Sequence, residues 1–183
     1  NLEGYDKAKT SFSFSDDGNR IFALVRDAAG DRFRLYSCLI GSDMKPSQNS
    51  NINNDIFSYY FVGNSVVYMK SDIGKNTGDI YVFDGNENKK IANAVNALKV
   101  DRADNIIVLK NYDESTIPEA DYYMVVDGKE ELIAEDISVN SFNIVESGKS
   151  AFIINSDKKE LNVYYSGSSS VISDDVSEIV LFN

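Results

Sequence analysis

The sequence contains no histidine and no tryptophan, one cysteine, two prolines and 11 glycines in 183 residues. Without histidine there is no Ser-His-Asp or Cys-His nucleophile, no histidine zinc site and no imidazole acid or base. The single Cys38 excludes an internal disulfide and a multi-cysteine metal site, leaving a small side chain suited to packing. No apolar run reaches the roughly 20 residues needed to cross a bilayer as a helix. Positive charge is also scarce: 18 Lys and Arg face 29 Asp and Glu, a net −11. A surface of that sign repels phosphate backbones and anionic lipid, so neither nucleic acid nor membrane insertion is expected for this segment.

What the chain does contain is apolar and aromatic: 43% hydrophobic residues, with 11 tyrosines and 10 phenylalanines. That is enough for a packed core rather than a disordered chain. The apolar residues fall in short Val, Ile, Tyr and Phe runs broken by polar turns, a β pattern with little helical periodicity.

The runs repeat about every forty residues. Each copy opens with a strand, a turn and a second strand: SFSFSDDGNRIFALV, SYYFVGNSVVYM, ALKVDRADNIIVL and SFNIVESGKSAFII. Gly18, Gly63 and Gly148 hold equivalent turn positions, with Ala103-Asp104 in the third copy. A tyrosine marks the third strand at Tyr36, Tyr81, Tyr123 and Tyr164, spaced 45, 42 and 41 residues apart. An aliphatic pair four residues apart closes each copy: Ile52 and Ile56, Ile91 and Val95, Ile133 and Ile137, Ile172 and Val176. The repeats are therefore 10–56, 57–95, 96–137 and 138–176 within one domain, and 177–183 (SEIVLFN) opens a fifth unit. Four short antiparallel strands in about forty residues make the blade of a β-propeller, so the expected fold is all-β, an array of about four such blades plus one strand.

FSFSDDGNRIFALV followed by GDRFRLY, and TGDIYVFDGNENKKIA, resemble the TolB-like β-propeller repeat. That pattern has a Phe-Ser strand, an Asp-Gly turn, an apolar strand and an Asp-aliphatic-Tyr strand. Asp16 stands where the family usually has proline, and the third and fourth copies are degenerate. Tryptophan-aspartate repeats are the poorer match, since without tryptophan and histidine their Trp-Asp and Gly-His signatures are both absent. The resemblance implies a mainly protein-binding scaffold of a bacterial envelope, or the accessory propeller of a larger hydrolase such as a prolyl-oligopeptidase-like peptidase.

Adjacent Asp16 and Asp17 could hold calcium, but an EF-hand loop needs oxygen ligands where Ile21 to Val25 stand, and the sister copies keep the turn and not the acids. Gly, Asn and Asp tolerate the positive φ of a hairpin turn, which is the reading adopted, as it is for Asp84-Gly85 and Asp127-Gly128. The four tyrosines are expected to be half-buried between sheets. No pair among the 29 acids is singled out by spacing for glycosidase chemistry. Expected catalytic residues, metals and cofactors are none.

The loops between second and third strands differ most in length and composition: 27–31, 71–78, 111–120 and 155–159. Loops on a rigid scaffold carry contacts more often than strands do. Asp72, Lys75, Tyr112, Asp113 and Glu114 are the candidate binding residues, for a protein or glycan. The polar stretch 41–54 reads as a loop, and unpaired blade edges invite self-association. An Asn, Ile, Lys and Ser-rich chain with one cysteine fits an extracytoplasmic protein of an AT-rich bacterium.

Overall fold

Most elements contain a β-branched or aromatic run, and several stop beside a glycine, asparagine or aspartate able to reverse the chain, as at Asp84, Asn96 and Asp127. The computed structural model describes residues 10–26, 32–40, 46–71, 74–100, 104–114, 118–138, 142–143, 150–155, 160–165 and 168–176. Among these there are only strands, paired antiparallel with their sequence neighbours in three sheets. The chain divides into two compact units, residues 1–93 and 94–183.

Seven strands follow in order in the first sheet, which makes up the first unit apart from the last two residues of β7: β1 Thr10–Phe14, β2 Arg20–Arg26, β3 Phe33–Ile40, β4 Pro46–Val62, β5 Ser65–Lys70, β6 Gly78–Phe83 and β7 Asn88–Val95. The stretch expected to be a loop over 41–54 is strand from Pro46 onward. Its apolar alternation is poor, and what holds it is backbone pairing to β3, from Ile40↔Pro46 to Phe33↔Ile56. From Ile56 the same strand pairs instead with β5, ending at Val62↔Ser65.

Both ends of β4 lie at one end of the meander, because the Gly63-Asn64 turn that follows it touches the β1–β2 turn: Asp17 N–H donates to Asn64 Oδ1 at 3.3 Å. The backbone therefore turns within β4, and Asp55 supplies the bend with a left-handed φ of 60°. The same conformation recurs at Ala94 (52°), Asp136 (53°) and Asp175 (61°). Each immediately precedes the second aliphatic of the closing pair: Ile56, Val95, Ile137 and Val176. One backbone bend thus ends each of the four copies.

The expected turns behave similarly. Gly18 and Gly63 have φ of 69° and 53°, and Asp104 adopts 63° where the third copy lacks glycine. Asp127 and Gly128, at 51° and 74°, join Val126 to Lys129 in the two-residue hairpin that such dipeptides favour. Gly148 and 177–183 lie outside the described residues.

Between its two groups of strands the first unit packs Phe22, Leu24, Leu35, Ile56, Val66, Tyr68 and Phe83, flanked by Phe33, Tyr59 and Tyr81. Phe22 meets Phe83 edge-on at 6.1 Å, and Phe33 meets Tyr59 at 4.9 Å, arrangements aromatic pairs prefer. β5 is buried on both faces, Val66 and Tyr68 on one, Val67 and Met69 on the other. The Tyr68 hydroxyl accepts from Asn53 Nδ2 at 2.7 Å and donates to Asn88 Oδ1 at 2.8 Å, which is how a ring with no exposed surface keeps its polar end satisfied.

The second unit contains β8 Ala97–Val100, β9 Ile106–Asp113, β10 Glu119–Val126 and β11 Lys129–Ser138 in one sheet. Another sheet follows: β12 Phe142–Asn143, β13 Ser150–Asn155, β14 Glu160–Tyr165 and β15 Ser168–Ser173. Ile107, Leu109, Ala120, Tyr122, Met124, Ile133 and Ile137 form a buried cluster. The loop expected over 111–120 is shorter, since β9 runs through Asp113 and β10 starts at Glu119. A bulge allows this: Asn111 takes a φ of 53° and the register shifts between Glu119 and Asp121. Among the anchor tyrosines, Tyr36, Tyr81 and Tyr123 are half-buried, Tyr81 stacked on Tyr68 at 5.5 Å. The Tyr164 side chain lies outside the described residues.

Candidate functional site

Antiparallel meanders place alternate connections at opposite ends of the strands. In the first unit, the loop from Ser71 to Thr77 lies at one end, while the turns 15–19, 63–64 and 84–87 lie at the other.

The first end carries Lys75. Its exposed residue sits in a loop drawn together by the buried Ser71 hydroxyl, which donates to the carbonyls of Lys75 at 3.3 Å and Thr77 at 3.0 Å. Asp72 lies outside the described residues. Tyr112, Asp113 and Glu114 belong to the second unit, all exposed, Tyr112 at 38%. Tyr112 and Asp113 are the last residues of β9 rather than loop, and Tyr112 N–H donates to Asn96 Oδ1 at 3.2 Å.

Next to them is Asp121, a carboxylate only 9% exposed. Asn111 Nδ2 donates to its Oδ2 at 2.6 Å and Asp136 N–H to its Oδ1 at 3.2 Å, so one side chain braces both the bulge and the strand-end bend. Asp79 occupies the same place relative to Tyr81 and pairs instead with Lys90 at 2.7 Å. The aspartate of the Asp-x-Tyr pattern is accounted for by scaffolding. Lys110 is likewise spent, salt-bridged to Glu130 with its ammonium 5.6 Å from the Tyr123 ring centre.

The opposite end is built from the opening hairpin. Asp17 accepts from the Ser15 hydroxyl at 2.6 Å and from Asn19 N–H at 3.0 Å. Those hydrogen bonds hold its carboxyl below the usual aspartate value. Asp84 does the same for its own turn, accepting from the N–H groups of Glu87 and Asn86, which lower it likewise. Both acids are turn residues, as the sequence pattern required.

Arg20, which starts β2, points into the space these turns enclose. Its Nη1 donates to the buried Ser37 Oγ at 2.7 Å. Gly85, at φ 99°, presses its backbone against the guanidinium; a Cβ there would lie 2.8 Å from Nε. Leu39, Ile52, Phe83 and Asn86 complete a cleft of about 170 Å³ around Arg20, Ser37 and Gly85. The sequence reading missed this cleft, because its cation and its walls come from β2, β3, β4, β6 and the β6–β7 turn. The signal available was a lone arginine directly after a turn in a chain poor in positive charge. Among the described residues no group of three or more Cys, Asp and Glu side chains converges as a metal site would require.

The sequence matches no protein-family model and no curated protein. Solved structures do match. The β-propeller domain of the Trilobed protease from Pyrococcus furiosus aligns over 88% of this chain and 57% of its own, with a TM-score of 0.54 and 18% identity. The fold is of the β-propeller type. A prolyl endopeptidase aligns over 93% of this chain at TM-score 0.57 and 12% identity, and an acylaminoacyl peptidase over 89% at 0.50 and 14%. The propeller-type chain spans only 28% and 32% of the lengths of those two structures.

Proposed function

We propose that this chain is a noncatalytic interaction scaffold built from TolB-like propeller repeats, presenting loops to a protein or glycan partner outside the cytoplasm of a bacterium. In this reading 10–56, 57–95, 96–137 and 138–176 are successive blades and 177–183 opens another. The observation that carries it is the division of labour along the repeat. Turn residues, anchor tyrosines and the left-handed bend recur from copy to copy, whereas the connections between second and third strands share neither length nor composition. A scaffold held by repeated residues leaves such connections free to take up a ligand. Lys75, Tyr112, Asp113 and Glu114, with Asp72, are the residues assigned to contact.

Glycan and peptide arrays probed with the native chain and with Lys75→Ala, Tyr112→Ala and Asp113→Ala test this. A discrete set of ligands should bind the native chain and be lost in at least one folded variant. Equal binding by all three folded variants would reject the loop assignment.

A second reading makes the chain the accessory propeller of a hydrolase. It is favoured by the three structures described above, which come from a protease and two peptidases. A Gly-x-Ser-x-Gly nucleophile elbow encoded in the same reading frame would select this reading over a free-standing scaffold.

A further inference from the structure

We infer that the Arg20 cleft is a binding site for a carboxylate carried on a short aliphatic stem, as in an acidic side chain or the C-terminus of a polypeptide. The inference does not rest on the loop assignment: none of the assigned residues lines the cleft, and within the first unit Lys75 lies at the other end of the strands.

The first ground is how the cation is held. Arg20 is half-buried, tied on one side to Ser37 Oγ at 2.7 Å, with Gly85 so close on the other that a Cβ there would lie 2.8 Å from Nε. None of the described carboxylates forms a salt bridge with it. Its influence on Asp17 and Asp84 is only the longer-range charge effect that helps keep those acids ionised. A guanidinium has five N–H donors in a planar fork, and Ser37 uses one side of it. Holding the group in place beforehand removes much of the entropy cost of engaging a ligand.

The second ground is shape and charge. About 170 Å³ is the space of roughly five or six waters, enough for a carboxylate and a few carbons. Leu39, Ile52 and Phe83 give apolar walls for a stem, and the Asn86 amide sits among the lining residues as a further polar group. A planar, singly charged carboxylate matches the fork of one arginine. A phosphate dianion would meet Asp17 and Asp84 nearby with one cation to offset them.

The test is an NMR titration of the whole chain with N-acetylglutamate α-amide, which offers only a side-chain carboxylate. Two further arms use an N-acetyl alanyl-alanine with a free C-terminus and inorganic phosphate. Saturable shifts at the Arg20 side chain, Gly85 and Asn86 are expected with at least one carboxylate, and weaker binding with phosphate. Arg20→Gln should weaken the carboxylate at least tenfold, Arg20→Lys less, because it keeps the charge and loses the fork. Should Arg20→Gln fail to fold, Asn86→Asp places a competing carboxylate at an exposed position and should weaken binding several-fold. Absence of saturable shifts, unchanged affinity in folded Arg20→Gln or in Asn86→Asp, or tighter binding of phosphate would overturn the inference. Variants at Lys75 and Tyr112 should leave this titration unchanged, which separates its outcome from that of the array experiment.

Discussion

Replacing Ala94 by glycine should stabilise the protein, although glycine in a strand ordinarily weakens it. Of the four strand-end bends Ala94 alone is neither aspartate nor asparagine, and it holds a φ of 52°. A left-handed conformation costs an L-residue about 1–2 kcal/mol, which a short polar side chain offsets partly by local hydrogen bonding and alanine cannot. Glycine removes that strain. It also gives the unfolded chain more freedom, a loss of about 0.5–1 kcal/mol. Ala94 is exposed, so little packing is forfeited with its methyl group. The net gain is about 0.5–1 kcal/mol, or roughly 1–4 °C in melting temperature for a chain of this length. Differential scanning calorimetry of the native chain, Ala94→Gly and Ala94→Val measures it. The valine variant should melt below the native protein, since β-branching aggravates a left-handed backbone. A glycine variant no more stable than the native chain would refute the account of the bend as a strained position shared by all four copies.

Two more outcomes follow from the same structure. Asp121→Ala should cost about 1–3 kcal/mol by urea denaturation, because Asn111 and the Asp136 N–H lose a charged acceptor. Asp121→Asn, which retains one acceptor oxygen, should cost clearly less; equal costs would show that the brace is not a hydrogen-bonded one. Stability should also fall in strong alkali. Burial raises the Tyr68 hydroxyl above its ordinary value of 10.0 and pushes Tyr122 up to about 12. Above the unfolded value the unfolded state releases these protons first, so stability is complete below about pH 10 and declines as pH rises toward 12. Tyr68→Phe and Tyr122→Phe should each flatten the decline in urea midpoint, and an unchanged slope in both would contradict it.

How much of this was legible beforehand varies with how local the cause is. Turn chemistry is local, so Gly18, Gly63 and Asp127-Gly128 could be placed from their residue types, and even Asp104 was found in the role of a missing glycine. The closing aliphatic pairs were legible as a repeat, but not the bend inside them. Asp-Ile at 55–56 and 136–137 and Asp-Val at 175–176 were the available signal, and Ala94 hid it in the second copy. The first half of β4 was mistaken for a loop because its partner, β3, and not its own pattern makes it a strand.

By itself, then, the sequence determined an all-β chain of about four similar units, with turns where glycine, asparagine and aspartate permit a positive φ. It did so because backbone preference and the period-two pattern act over a few residues. The tertiary structure alone decided which side chains meet. Arg20, Ser37, Ile52 and Gly85 are up to 65 positions apart in the chain and share one cleft only because antiparallel pairing returns their strands to a common end. The same pairing set Asp121 against the two backbone bends that it braces.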